Sequence, residues 1–141
     1  MSRTMTTLDV RQRFDTYAAA FATRDAEAIV ALHSPDTQFW LRAGGQPVQG
    51  RAAVRDAFAA LFERWPGLGF DTHRLITGAR HWVLDWALTA TLTGPDDTTR
   101  PIRFDCLDVV ALDEDGLVVR KDTFIDHVQA QAARAFDLMQ T

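Results

Sequence analysis

The chain has 141 residues, of which 47% are hydrophobic and 24% charged, with a net charge of −4. That composition fits one globular domain with a proper core, and the scattered basic residues argue against a nucleic-acid partner. No apolar run approaches the roughly 18 residues that would span a bilayer, so no membrane association is expected. The opening MSRTMTTLDV lacks the apolar core of a secretory leader, and the single cysteine, Cys106, has no internal disulfide partner. Both point to a cytoplasmic protein.

Taken in order, Thr6 to Thr23 reads as a helix, with Thr6 and Asp9 as a capping box and Phe14, Tyr17, Ala18 and Phe21 on one apolar face. Asp25 caps a short helix over residues 26–33, which Ser34-Pro35-Asp36 ends. TQFWLR, residues 37–42, reads as a strand, and a short return strand follows over 46–49. A third helix over 51–65 presents Val54, Ala57, Phe58, Leu61, Phe62 and Trp65 as an inward stripe. Four strands then follow, over 70–77, 81–93, 101–112 and 117–125, separated by turn chemistry that includes Asp115-Gly116. Val128, Ala132, Ala135, Phe136 and Met139 make a short closing helix after Asp126. Helices followed by a run of strands indicate an α+β domain over residues 1–141. A curved, mostly antiparallel sheet wrapped around three helices would leave a cone-shaped cavity, a natural small-molecule site.

Sequence motifs for phosphate loops, CxxC or HExxH sites and nucleophile elbows are absent, so neither a metal nor an organic cofactor is expected. What remains is a set of carboxylates in strands and a tyrosine on an apolar face. Asp105, between Phe104 and Cys106, is a candidate for a carboxyl kept neutral by desolvation. With Tyr17 it would make a two-donor site for a carbonyl or enolate oxygen. The alternative is that Asp105 faces solvent or pairs with Arg103 or Arg120. Asp122 shares a face with Phe124, so if Phe124 meets the cavity Asp122 does too, as a general base. Its alternative is a surface ion pair. Asp108 must face the opposite way from Asp105 and is expected to point outward.

RDAEAIVALHSPD (24–36), QPVQGRAAVRDAF (46–58) and DCLDVVALDEDG (105–116) resemble the cystatin-like α+β cone superfamily. It includes SnoaL-like polyketide cyclases, ketosteroid isomerases, limonene epoxide hydrolase, scytalone dehydratase and nuclear transport factor 2. The resemblance implies a curved sheet and helix cone in one SnoaL-like domain. It also implies catalytic roles for Tyr17 and Asp105, which match the isomerase oxyanion hole, the standard example of a carboxylic acid held neutral in an apolar site. Asp122 matches the acid/base aspartate of SnoaL-like cyclases and the epoxide hydrolase. Leu41 stands where the isomerase base would be, and His33 and Phe58 replace two tyrosines of its pocket. Leu41, Phe58, Phe62, Trp86, Phe124 and His33 are the expected substrate-binding residues.

The function this implies is a cofactor-independent isomerase, cyclase or dehydratase that enolises an apolar carbonyl substrate, in a homodimer paired through convex sheet faces. The alternative is a non-catalytic ligand-binding or dimerisation domain. Epoxide hydrolysis is disfavoured, because the strand VLDWALTAT has no arginine.

Overall fold

The computed structural model describes residues 7–139, with side chains described as far as residue 135 in the last helix. Helix α1 spans Val10–Ala22 and is capped by Asp9, whose carboxylate accepts from the Gln12 N–H. Val10, Phe14, Tyr17 and Phe21 form its buried stripe. The Thr6 half of the expected capping box lies outside the described residues. Helix α2, Ala26–Val30, is capped by Asp25 and is shorter than expected. His33 instead begins strand β1, His33–Arg42, so Ser34-Pro35-Asp36 does not separate two elements. Pro35 has no ladder N–H to give, and it falls where the pairing of β1 shifts register, between His33 and Gln38.

Strand β2 is Val48–Gln49. Helix α3, Arg51–Arg64, follows Gly50, whose φ of 91° favours glycine. The remaining strands are β3 (Gly69–Thr77), β4 (His81–Thr93), β5 (Thr99–Leu112) and β6 (Val118–Ile125), before helix α4 (His127–Met139). The β5–β6 hairpin closes as the Asp-Gly signal predicts. Gly116 sits at φ 83°, and the Asp113 carboxylate accepts from the N–H groups of Asp115 and Leu117.

The six strands form one open sheet in the order β2-β1-β6-β5-β4-β3, antiparallel except for the β1–β6 pair. Its register fixes the faces. Asp108 lies between Leu84 and Thr123, and Lys121 between Val110 and Phe39. These residues are buried with Trp82, Trp86, Phe104 and Cys106 on the inner face, which α1 and α3 cover. Phe14 meets Trp82 edge-on, Phe21 meets Trp86, and Phe58 of α3 packs on Phe39. Phe58 is fully buried, and truncating such a ring typically costs about 3–5 kcal/mol.

Helix α4 forms after Asp126 as expected. Ala130 and Ala133 are buried while Val128 is exposed; Phe136 and Met139 lie outside the described side chains. The small alanines admit Trp65, whose ring packs on Phe104 and under the Arg134 guanidinium.

Candidate functional site

Strand β5 alternates strictly from Ile102 to Leu112, with even-numbered residues buried. Asp108 is therefore inside, at 4% exposure, and Asp105 outside, with its side chain 56% exposed. This reverses the expected placement of both. Asp105 faces Gln129 of α4 and His73 of β3, and does not converge with Tyr17. The reason lies in the pleat. Side chains two apart share a face, so the relevant neighbours of Asp105 are Arg103 and Leu107, not Phe104 and Cys106.

Asp122 is corrected in the same way. The pleat of β6 puts Lys121 and Thr123 inside, and puts Asp122 on the outer face between Arg42 and Arg120. Burial works against its ionisation, but hydrogen bonds from Arg120 and Arg42 outweigh it and hold the carboxyl below the usual range. Phe124 shares that outer face as expected. It is exposed, with the Arg42 guanidinium 5.0 Å from its ring centre, and does not reach the cavity.

Into the space between helices and sheet projects Lys121, only 2% exposed. It is the single lysine among the chain's fifteen Lys and Arg residues. Its Nζ lies 3.7 Å from Asp108 Oδ2 and 3.4 Å from the hydroxyl of Tyr17, the only tyrosine. The rings of Phe21, Tyr17 and Phe58 surround it, with centroids at 4.4, 4.9 and 5.3 Å. Desolvation pulls the amine pKa down, opposed by the Asp108 carboxylate. Asp108 also accepts from the Thr123 hydroxyl at 2.8 Å.

Behind Lys121 runs a polar chain. Tyr17 Oη is 2.9 Å from His33 Nε2, and His33 Nδ1 is 2.8 Å from Thr37 Oγ1. Burial, with Lys121 and Arg51 nearby, lowers the His33 pKa to about 3, so its ring is neutral. The donors can then be ordered. An ammonium only donates, so Tyr17 accepts from Lys121 and gives its proton to Nε2, leaving the His33 proton on Nδ1 to reach Thr37. Burial, reinforced by Asp108, raises the Tyr17 pKa well above 10, so the phenol keeps its proton.

Lys121 borders two cavities. The larger, about 420 Å³, is also lined by Phe39, Leu41, Phe58, Trp86, Cys106 and Thr123, and reaches α4 at His127 and Gln131. The smaller, about 20 Å³, holds Tyr17 and Asp108 behind Lys121, Phe21 and Trp86. Of the expected binding residues, Leu41, Phe58 and Trp86 line the larger cavity. Phe62 packs behind it on Phe21, and His33 is fully buried beneath Tyr17. The buried Trp86 indole N–H has no hydrogen-bond partner among the described residues. Burial, with Asp108 adding to it, pushes the Cys106 thiol pKa up and keeps it un-ionised. Among the described residues, no three His, Cys, Asp or Glu side chains group as a metal would require.

Sequence reasoning missed Lys121, Asp108 and Thr123. The signal for Asp108 was present in its same-face neighbours, Cys106 and Val110. For Lys121 it was the rarity of lysine itself.

No curated protein matches the sequence significantly. Solved structures match its fold closely. A protein assigned to the SnoaL-like polyketide cyclases from Shewanella putrefaciens CN-32 superposes with a TM-score of 0.77 at 11% identity, covering 100% of this chain and 99% of its own. A protein of ketosteroid isomerase-like fold from Catenulispora acidiphila DSM 44928, in complex with trimethylamine, gives 0.76 at 13% identity over 96% and 99%. The epoxide hydrolase/cyclase-like enzyme SalBIII, of pyran ring formation in polyether salinomycin, gives 0.73 at 19% identity over 85% and 92%. At these identities the likeness is one of fold. The sequence itself matches the model of the SnoaL-like domain over residues 14–121, and the chain belongs to that family.

Proposed function

We propose that the protein is a cofactor-independent enzyme that enolises an apolar carbonyl compound in its larger cavity, with Lys121 as the group that meets the carbonyl. One observation carries this reading: the only lysine is buried in the cavity wall against a carboxylate, a hydroxyl and three aromatic rings. A cavity of about 420 Å³ falls within the range of about 300–1,000 Å³ usual for small-ligand sites. Its aromatic walls suit an apolar substrate. A charge placed there acts at low dielectric on the negative charge that develops as an α-proton leaves.

In this reading Lys121 stabilises the enolate oxygen, and Asp108, behind it and off the larger cavity, holds the ammonium in place. Tyr17, His33 and Thr37 position the amine and are not catalytic themselves. The family resemblance supports the same class of chemistry, with Lys121 and Asp108 replacing the expected Asp105 and Asp122.

The test is exchange of α-protons. Cyclohexanone in heavy water, followed by proton NMR, should lose its α-proton signal faster with the protein than without it. Lys121→Met should remove about 10²–10⁴-fold of that acceleration, the usual scale of acid–base catalysis. Exchange at the buffer rate with wild-type protein would overturn the reading.

A further inference from the structure

We propose that Lys121 is a Schiff-base lysine, whose amine condenses with the carbonyl of an apolar aldehyde or ketone held in the larger cavity. This rests on the reading that a carbonyl compound enters the cavity, and goes beyond it, because stabilising an enolate needs only a charge.

The first observation is the choice of residue. Every other basic position that is Lys or Arg is arginine. A guanidinium stays protonated and cannot serve as a nucleophile here, whereas a primary amine can lose its proton and attack. A buried cation alone gives no reason for the single exception. The second observation is placement. The amine is buried among the rings of Phe21, Tyr17 and Phe58 and borders the large cavity, an environment that favours its neutral form. The third is its neighbours. Asp108 stands 3.7 Å away to receive a proton, and the Tyr17 hydroxyl, 3.4 Å away and backed by neutral His33, fixes the amine in position.

The step balances without an oxidant or a reductant. Asp108 takes one proton from the ammonium and frees the lone pair. That pair forms the N–C bond as the carbonyl π electrons move to oxygen, and Asp108 returns its proton there to give a carbinolamine. Asp108 then takes a second proton from the nitrogen and passes it to the hydroxyl, the C–O bond breaks, and the oxygen leaves as water while a protonated C=N bond forms. Ammonium and carbonyl give protonated imine and water. The protonated imine draws electrons from the α-carbon, whose proton is lost to give an enamine.

Reductive trapping tests this directly. The intact protein is incubated with cyclohexanone and sodium cyanoborohydride, and the product is read by intact mass and peptide mapping. The expected result is a single cyclohexyl adduct on Lys121. The chain's α-amino group is the only competing amine among its residues, so the assignment is unambiguous. Lys121→Arg, checked for folding by circular dichroism, should give no adduct at that position. No adduct on Lys121 in the wild-type protein, or the same yield when it is unfolded in urea, would overturn the proposal. The α-proton exchange assay separates the two claims. Exchange without an adduct removes the covalent step alone, whereas an adduct without exchange removes enolisation and keeps the Schiff base.

Discussion

Breaking the Lys121–Asp108 pair from either side should be costly, and removing both partners should not. Lys121→Met leaves a carboxylate buried beside Thr123 in place of a pair. The loss is limited by the free energy of protonating an ordinary carboxyl at neutral pH, about 4 kcal/mol. Asp108→Asn preserves the acceptor for Thr123 but leaves the amine without its counter-ion. That loss is limited by deprotonating an ordinary lysine, about 5 kcal/mol. Both limits agree with the roughly 3–5 kcal/mol seen when one member of a buried pair is removed. The double variant Lys121→Met/Asp108→Leu replaces the pair with apolar side chains and should lie within about 2 kcal/mol of wild type. Urea unfolding followed by the fluorescence of the four tryptophans measures all three. Single variants each costing under about 1 kcal/mol, with an additive double, would show that the two charges are neither desolvated nor coupled, and the argument for a perturbed amine would fall with them.

Neutral His33, with its pKa lowered to about 3, binds no proton where the unfolded ring does. Its stabilisation is thus complete above the unfolded value near 6.5 and is lost as pH falls toward about 3; that of Asp122, whose pKa is also lowered, is lost only below the ordinary carboxylate range. Acid titration of His33→Gln should show a shallower loss over that window, and an unchanged slope would contradict the assignment. Asp105→Asn should leave stability within about 0.5 kcal/mol and α-proton exchange unchanged. Asp122→Asn weakens its two arginine contacts and should cost about 1–3 kcal/mol in denaturation while leaving exchange intact; loss of exchange would restore Asp122 as a catalytic residue. The outer sheet face carries exposed Leu107, Val109, Phe124 and Ile76, and the homodimer expected from the family resemblance is proposed to cover them. Phe124→Glu should then shift gel filtration to monomer, and a wild-type protein that is already monomeric at micromolar concentration would exclude that interface.

Periodicity was enough for the architecture. The phenylalanine and tyrosine stripe of α1, the alternation from Trp82 to Leu92 and the Asp-Gly turn each sit where local chemistry puts them. Two features were out of reach of local pattern. The parallel β1–β6 pair joins residues some eighty positions apart, and the start of β1 at His33 is hidden by a proline that only its register shift accommodates. The site was harder still. Tyr17, Phe58 and Trp86 could be placed inward from their apolar periodicity, and Leu41 was marked by the family resemblance; Leu41, Phe58 and Trp86 line the larger cavity. Asp105 and Asp122 were misplaced because sequence neighbours were taken for spatial ones, when a strand sets its environment at i±2. Lys121 was hidden for a different reason. Lysine ordinarily marks solvent, and only the fold shows that its neighbours across the sheet are Val110 and Phe39.

If Lys121 meets a substrate carbonyl inside the cavity, proton NMR of cyclohexanone in heavy water should separate wild-type protein from Lys121→Met at equal folded concentration. The α-proton signal should disappear faster with the wild type, and at a rate near that of buffer with the variant. Equal rates in the two samples would remove Lys121 from the reaction.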